Sequence, residues 1–181
     1  MSNSLSKLTA AMGLLAALAA PQAQAALGDA LMASGGNIVV RFEGSSAGYD
    51  SLISVNGSPQ FFPNHSTAVG STVDLGFFAA GTALDIVLNV LTTGYSFHTG
   101  AAAGNPDGLV HANVIYNFTE AGRTFVGFED IFRGGDLDYN DHQFSFTNIQ
   151  SSVPEPGTYA LMLAGLGAVG FLARRRKAGQ A

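Results

Sequence analysis

The chain has 181 residues, of which 12% are charged, 23 are Gly and none is Cys, a composition that excludes a coiled coil and a disulfide scaffold. The formal charge of -5 hides an asymmetry: Lys7 and the run Arg174, Arg175, Arg176, Lys177 lie near the ends. Residues 26–152 keep three basic residues, Arg41, Arg123 and Arg133, against twelve acidic ones, a net -9. So few cations exclude nucleic acid as a partner and favour cations as ligands.

Residues 1–25 read as a secretory signal peptide. Lys7 supplies the positive n-region, Leu8 to Ala20 is a short apolar run, and Ala23-Gln24-Ala25 has the small-x-small form that signal peptidase accepts. Export follows, and signal peptidase is the first processing partner. An exported chain without cysteine needs some other device to restrain long loops.

Residues 26–149 show no sustained 3.6-residue period. Short β-branched and aromatic runs bounded by Gly, Asn, Pro or Ser predict about eight strands: Asn37 to Glu43, Leu52 to Val55, Thr72 to Phe78, Thr82 to Leu91, Tyr95 to His98, Ala112 to Phe118, Thr124 to Phe132 and His142 to Ile149. Leu84, Ile86, Leu88 and Val90 fall on one face of their run and Asp85 and Asn89 on the other, the mark of an antiparallel sheet with one wet face. The expected fold is all-β, a single antiparallel β-sandwich, jelly-roll-like or immunoglobulin-like.

Within this body, Asn105-Pro106-Asp107-Gly108 reads first as a type I turn, with Asn105 and Asp107 as secondary oxygen ligands in the alternative. His65, His98, His111 and His142 have no paired zinc spacing. The densest chemistry is in residues 127–141, which hold five of the twelve acids of the body and one basic residue, Arg133. Like charges so close repel unless a cation sits among them. If the segment is extended, Asp136, Asp138 and Asn140 point the same way. Asp141 and a carboxylate from Glu129 or Asp130 then complete a hard oxygen set suited to Ca²⁺. About nine residues join the strands around Phe128 and Phe144, long for a hairpin, and an ion would order such a loop. An EF-hand is excluded, because Asp141 and Thr147 stand where Gly and Glu are required.

The series Gly127-Phe128-Glu129-Asp130, Gly134-Gly135-Asp136 and Asp138-Tyr139-Asn140-Asp141, followed by Phe144-Ser145-Phe146, resembles domain of unknown function 4114 of exported bacterial proteins. The likeness extends back through Asn105 to Gly108 and His111 to about Leu75. It implies a β-rich, Ca²⁺-dependent surface module without assigned catalysis. No Gly-x-Ser-x-Gly elbow, cysteine nucleophile or P-loop occurs. A non-catalytic module is therefore expected; the alternative is a glycan-acting hydrolase that uses Glu129 with Asp136 or Asp141. Tyr139, on the acidic loop, is the ring singled out for stacking on a sugar.

After a linker at 150–158, residues 159–173 form an uncharged run. As a helix at about 1.5 Å per residue it covers about 22 Å, a marginal span of a hydrocarbon core of about 30 Å. The basic tail at 174–181 fits a cytoplasmic stop. Pro154-Glu155-Pro156, the apolar run from Tyr159 and the cluster Arg174, Arg175, Arg176 and Lys177 together resemble the PEP-CTERM sorting signal of exopolysaccharide-producing Gram-negative bacteria. The resemblance implies cleavage by an exosortase, transient inner-membrane contact through the C-terminal helix, and release to the envelope, outer surface or extracellular matrix. Exopolysaccharide or matrix proteins are then the expected partners.

Overall fold

The computed structural model describes residues 24–118, 122–152, 163–167 and 169. The expected signal peptide lies outside them except for Gln24 and Ala25. So do the Pro-Glu-Pro motif, the basic tail and most of the 159–173 run, of which 163–167 and 169 are helical. Among the described residues no helix is long and apolar enough to cross a membrane.

Among the described residues the regular structure of the body is antiparallel strands, with one short 3-10 turn at Ala102–Gly104. Along the chain the strands are β1 (Gln24–Leu27), β2 (Leu31–Ala33), β3 (Gly36–Gly44), β4 (Ser51–Val55), β5 (Thr72–Phe78), β6 (Ala83–Leu84) and β7 (Ile86–Val90). There follow β8 (Ser96–His98), β9 (Ala112–Tyr116), β10 (Arg123–Phe128), β11 (His142–Thr147) and β12 (Ile149–Ser151). Their order is β1-β9-β10-β11-β3-β5 in a six-stranded sheet, and β12-β2-β6 and β4-β7-β8 in two three-stranded ones. The eight expected strands thus become twelve among the described residues. The run from Thr82 splits at Asp85, β11 and β12 divide at Asn148, whose φ is 55°, and β1 and β2 precede all the expected strands.

Alternating burial drives this assembly. Ile86, Leu88 and Val90 are at most 1% exposed, and Leu84 joins them. One apolar cluster takes Val40, Val114, Val126, Phe128, Phe144 and Phe146 from the large sheet, Ile53, Leu88 and Phe97 from one small sheet, and Leu31, Leu84 and Ile149 from the other. Each fully buried Phe or Leu contributes about 1.5–3 kcal/mol relative to leaving it in water.

For function, the pair that matters is β10 and β11, neighbours within the large sheet. Their register ends at Phe128 opposite His142. The ladder reaches slightly further, because the Glu129 amide donates to the His111 carbonyl and the Asp141 amide to the Phe128 carbonyl. The strand expected to run to Phe132 therefore stops at Phe128, and the connection is residues 129–141, longer than the nine residues read from the sequence. Ile131 and Phe132 have the character of strand residues, but neighbouring Arg133 and Gly134 adopt φ of 75° and 86° in succession, a left-handed turn that ends the extended backbone.

Candidate metal centre

Glu129 leaves the end of β10 with its side chain wholly buried. Its Oε1 accepts the Tyr139 amide at 2.5 Å, whereas Oε2 has no hydrogen-bond partner. One carboxylate oxygen from each of Glu129, Asp136 and Asp138 lies within 4.8 Å of the others. Asp136 and Asp138 are exposed, so the cluster has a buried floor and a mouth open to solvent.

The chain brings these acids together without being extended. Arg133, Gly134, Gly135, Leu137 and Tyr139 all have positive φ, and residues held in that region usually sit where the surroundings force them. Gly135 is required for a second reason: a Cβ there would lie 2.6 Å from Glu129 Oε2. Asp138 is fixed in turn by Asn140, whose backbone amide donates to Oδ1 at 3.1 Å and whose side-chain amide donates to Oδ2.

Asp130 and Asp141 are joined by a hydrogen bond of their own, while the charge of Asp141 also acts on Glu129. The Asp130 amide donates to Asp141 Oδ2 at 2.8 Å, and Ser45 Oγ donates to the Asp141 carbonyl at 2.5 Å. Both residues are buried, at 2% and 9% exposure. Burial, followed by the charge of Asp141, pushes the Asp130 carboxyl up to about 7. Glu129 and Asp141 are also raised, burial being the main cause for each.

Asn105 and Asp107 are placed as struts. The Asn105 side chain accepts the His98 amide at 2.7 Å and donates to the Leu109 carbonyl at 2.8 Å. Asp107 Oδ2 lies 2.9 Å from His111 Nε2 and accepts the Arg133 amide at 2.7 Å, while Oδ1 accepts the Leu109 amide. Burial alone would raise the Asp107 carboxyl, but these donors hold it below the usual range. The His111 ring, fully buried, stacks on Phe97 at 3.7 Å and sets Nδ1 3.0 Å from the Glu129 carbonyl oxygen. The two loops are thereby clamped at Glu129 and Arg133.

Tyr139 turns back into the protein, its hydroxyl donating to the Val110 carbonyl at 3.4 Å. Two half-exposed rings, Phe132 of the acidic loop and Tyr95, stack on each other at 4.8 Å and are exposed by 36% and 39%. Exposed Leu109, Ile131 and Leu137 adjoin the same loop; Leu109 and Leu137 both approach Gly134, and Ile131 approaches Gly135. Sequence reasoning missed this apolar rim, although Ile131, Phe132 and Leu137 stand out as apolar residues in a turn-forming acidic segment. A cleft of about 300 Å³ beside Tyr116, Asn117, Arg123, Asn148 and Gln150 has no carboxylate in its lining.

Comparison with known families matches residues 152–177 to the PEP-CTERM protein-sorting motif. The chain carries an exosortase sorting signal. That signal marks an exported protein of the cell envelope that an exosortase processes. No curated protein and no solved structure matches the chain.

Proposed function

We propose that the body is a non-catalytic β-sandwich module, stabilised by Ca²⁺ at Glu129, Asp136 and Asp138, that associates with exopolysaccharide or another component of the extracellular matrix after exosortase processing. The observation that carries this reading is Glu129, whose buried Oε2 has no hydrogen-bond partner and whose carboxylate lies within reach of two further acids. Burying an unpaired charge costs several kcal/mol. A hard cation offsets that cost, and an all-oxygen set with an open side leaves room for the waters or hydroxyls that Ca²⁺ takes as further ligands. The likeness to domain of unknown function 4114 points the same way. The shared apolar cluster supports a sandwich, with the large sheet packed against the two smaller ones.

The exposed Tyr95 and Phe132 pair, with Phe132 in the same loop as the acids, supports a sugar as the partner, since an apolar ring surface and a cation that binds hydroxyls are the two halves of an amphipathic pyranose site. A hydrolase would need a raised carboxyl that a sugar can reach. Asp130 is the acid raised furthest, but at 2% exposure it is closed to substrate.

Retention of the full chain on the exopolysaccharide of a producing strain, with Ca²⁺ and with EDTA, tests this function. Retention should require Ca²⁺ and fall at least tenfold in a Tyr95→Ala, Phe132→Ala variant. Retention unaffected by EDTA, or release of reducing ends, would contradict it.

A further inference from the structure

Glu129 and Asp130 are consecutive, and their backbones bond to opposite neighbours. The Glu129 amide reaches His111 on the β9 side, and the Asp130 amide reaches Asp141 on the β11 side. Alternation of this kind is that of an extended chain, so the two side chains project to opposite faces. On each face a buried carboxylate oxygen ends without a hydrogen-bond partner: Glu129 Oε2 on one, Asp130 Oδ2 on the other. An ion among Glu129, Asp136 and Asp138 satisfies the first and leaves the second as it was.

We infer that the loop holds two cations, the second between the carboxylates of Asp130 and Asp141. This rests on the reading that the loop binds Ca²⁺, and it adds a site of different character. The first site is half open, because Asp136 and Asp138 are exposed; the second is enclosed, with both acids at least nine-tenths buried. Asp141 is already oriented for a ligand role by the Asp130 amide, and the Ser45 hydroxyl holds its backbone. The basic group on this flank, His65, is itself committed to Asp50 at 2.9 Å and to the Ala47 carbonyl at 3.0 Å. It makes no ion pair with Asp130, although its charge acts on that carboxyl from a distance. Two carboxylates packed together in a low-dielectric setting need a positive charge between them, either a metal ion or a shared proton. The enclosed site joins β11 to the Ser45 segment after β3, so its ion would fasten the loop to the sheet, whereas the outer ion would shape the exposed surface.

Calcium bound per full chain, measured by equilibrium dialysis in mild detergent at about pH 8, where carboxyls with ordinary pKa values are ionised, decides the matter. The expected count is two for the unmutated chain, one for Asp130→Asn and for Asp141→Asn, and one for Asp136→Asn with Asp138→Asn. One ion in the unmutated chain, kept in Asp130→Asn and lost in the Asp136, Asp138 variant, would overturn the second site and leave the proposed function standing. One ion lost in every variant would mean a single shared site and would also overturn the inference. No bound calcium would overturn both. Because the count on the unmutated chain separates two ions from one, the test holds even where a variant fails to fold.

Discussion

Gly135 lies over the Glu129 carboxylate so closely that a methyl group on it would sit 2.6 Å from Oε2, and its φ of 52° is one that side chains resist. Gly135→Ala should therefore cost about 1–2 kcal/mol in EDTA through the left-handed backbone. It should also lower calcium affinity at least tenfold, because the methyl group displaces the carboxylate. Calcium titration followed by fluorescence, set beside unfolding in EDTA, separates the two effects.

Asp107 holds His111 and the Arg133 amide together beneath the loop. Asp107→Asn removes one partner of a buried pair and should destabilise the fold by about 3 kcal/mol. Since Asp107 is not among the three clustered acids, the unfolding midpoint should fall by a similar amount with and without Ca²⁺. Denaturant titrations under both conditions check this.

His142 is fully buried, with Nδ1 2.9 Å from Ser51 Oγ and Nε2 unpartnered. Burial holds its pKa down at about 3, against 6.5 for the free group. The folded state therefore binds fewer protons than the unfolded one between these values. The stability this residue contributes is complete above about 6.5 and is lost as pH falls toward 3. His142→Gln, which keeps a polar partner for Ser51, should flatten the acid limb of the stability curve relative to the unmutated chain.

Asp130 works in the opposite sense. Its carboxyl is raised from 3.8 to about 7, so without metal the folded state binds more protons, and stability is lost as pH rises through that window. In EDTA above about pH 7, Asp130→Asn should be more stable than the unmutated chain. In Ca²⁺ the order should reverse, as equilibrium unfolding at matched pH would show.

Periodicity made much of the fold legible. β5 was read to the residue, and the alternation of Leu84, Ile86, Leu88 and Val90 gave the buried face of β6 and β7. β2 and β12 are three residues each, too short for a period to register, and β1 begins inside the segment read as a signal peptide. Acid density and the Gly134-Gly135 pair located the acidic loop. Its division could not be read, because it depends on Glu129 and Asp130 facing opposite ways at the end of β10. Nor could Tyr95, which comes from the turn between β7 and β8 and meets Phe132 only in three dimensions.

The most direct measurement is thermal unfolding of the full chain in mild detergent, in EDTA and in millimolar Ca²⁺, beside an Asp136→Ala, Asp138→Ala variant. Binding to the native state raises the midpoint by mass action, and at a concentration about 100 times the dissociation constant the gain is about 2.7 kcal/mol. A rise of several degrees in Ca²⁺ that is reduced in the variant, to the part the enclosed Asp130 and Asp141 site supplies, is the predicted result. Equal midpoints in EDTA and Ca²⁺ for the unmutated chain would contradict the account.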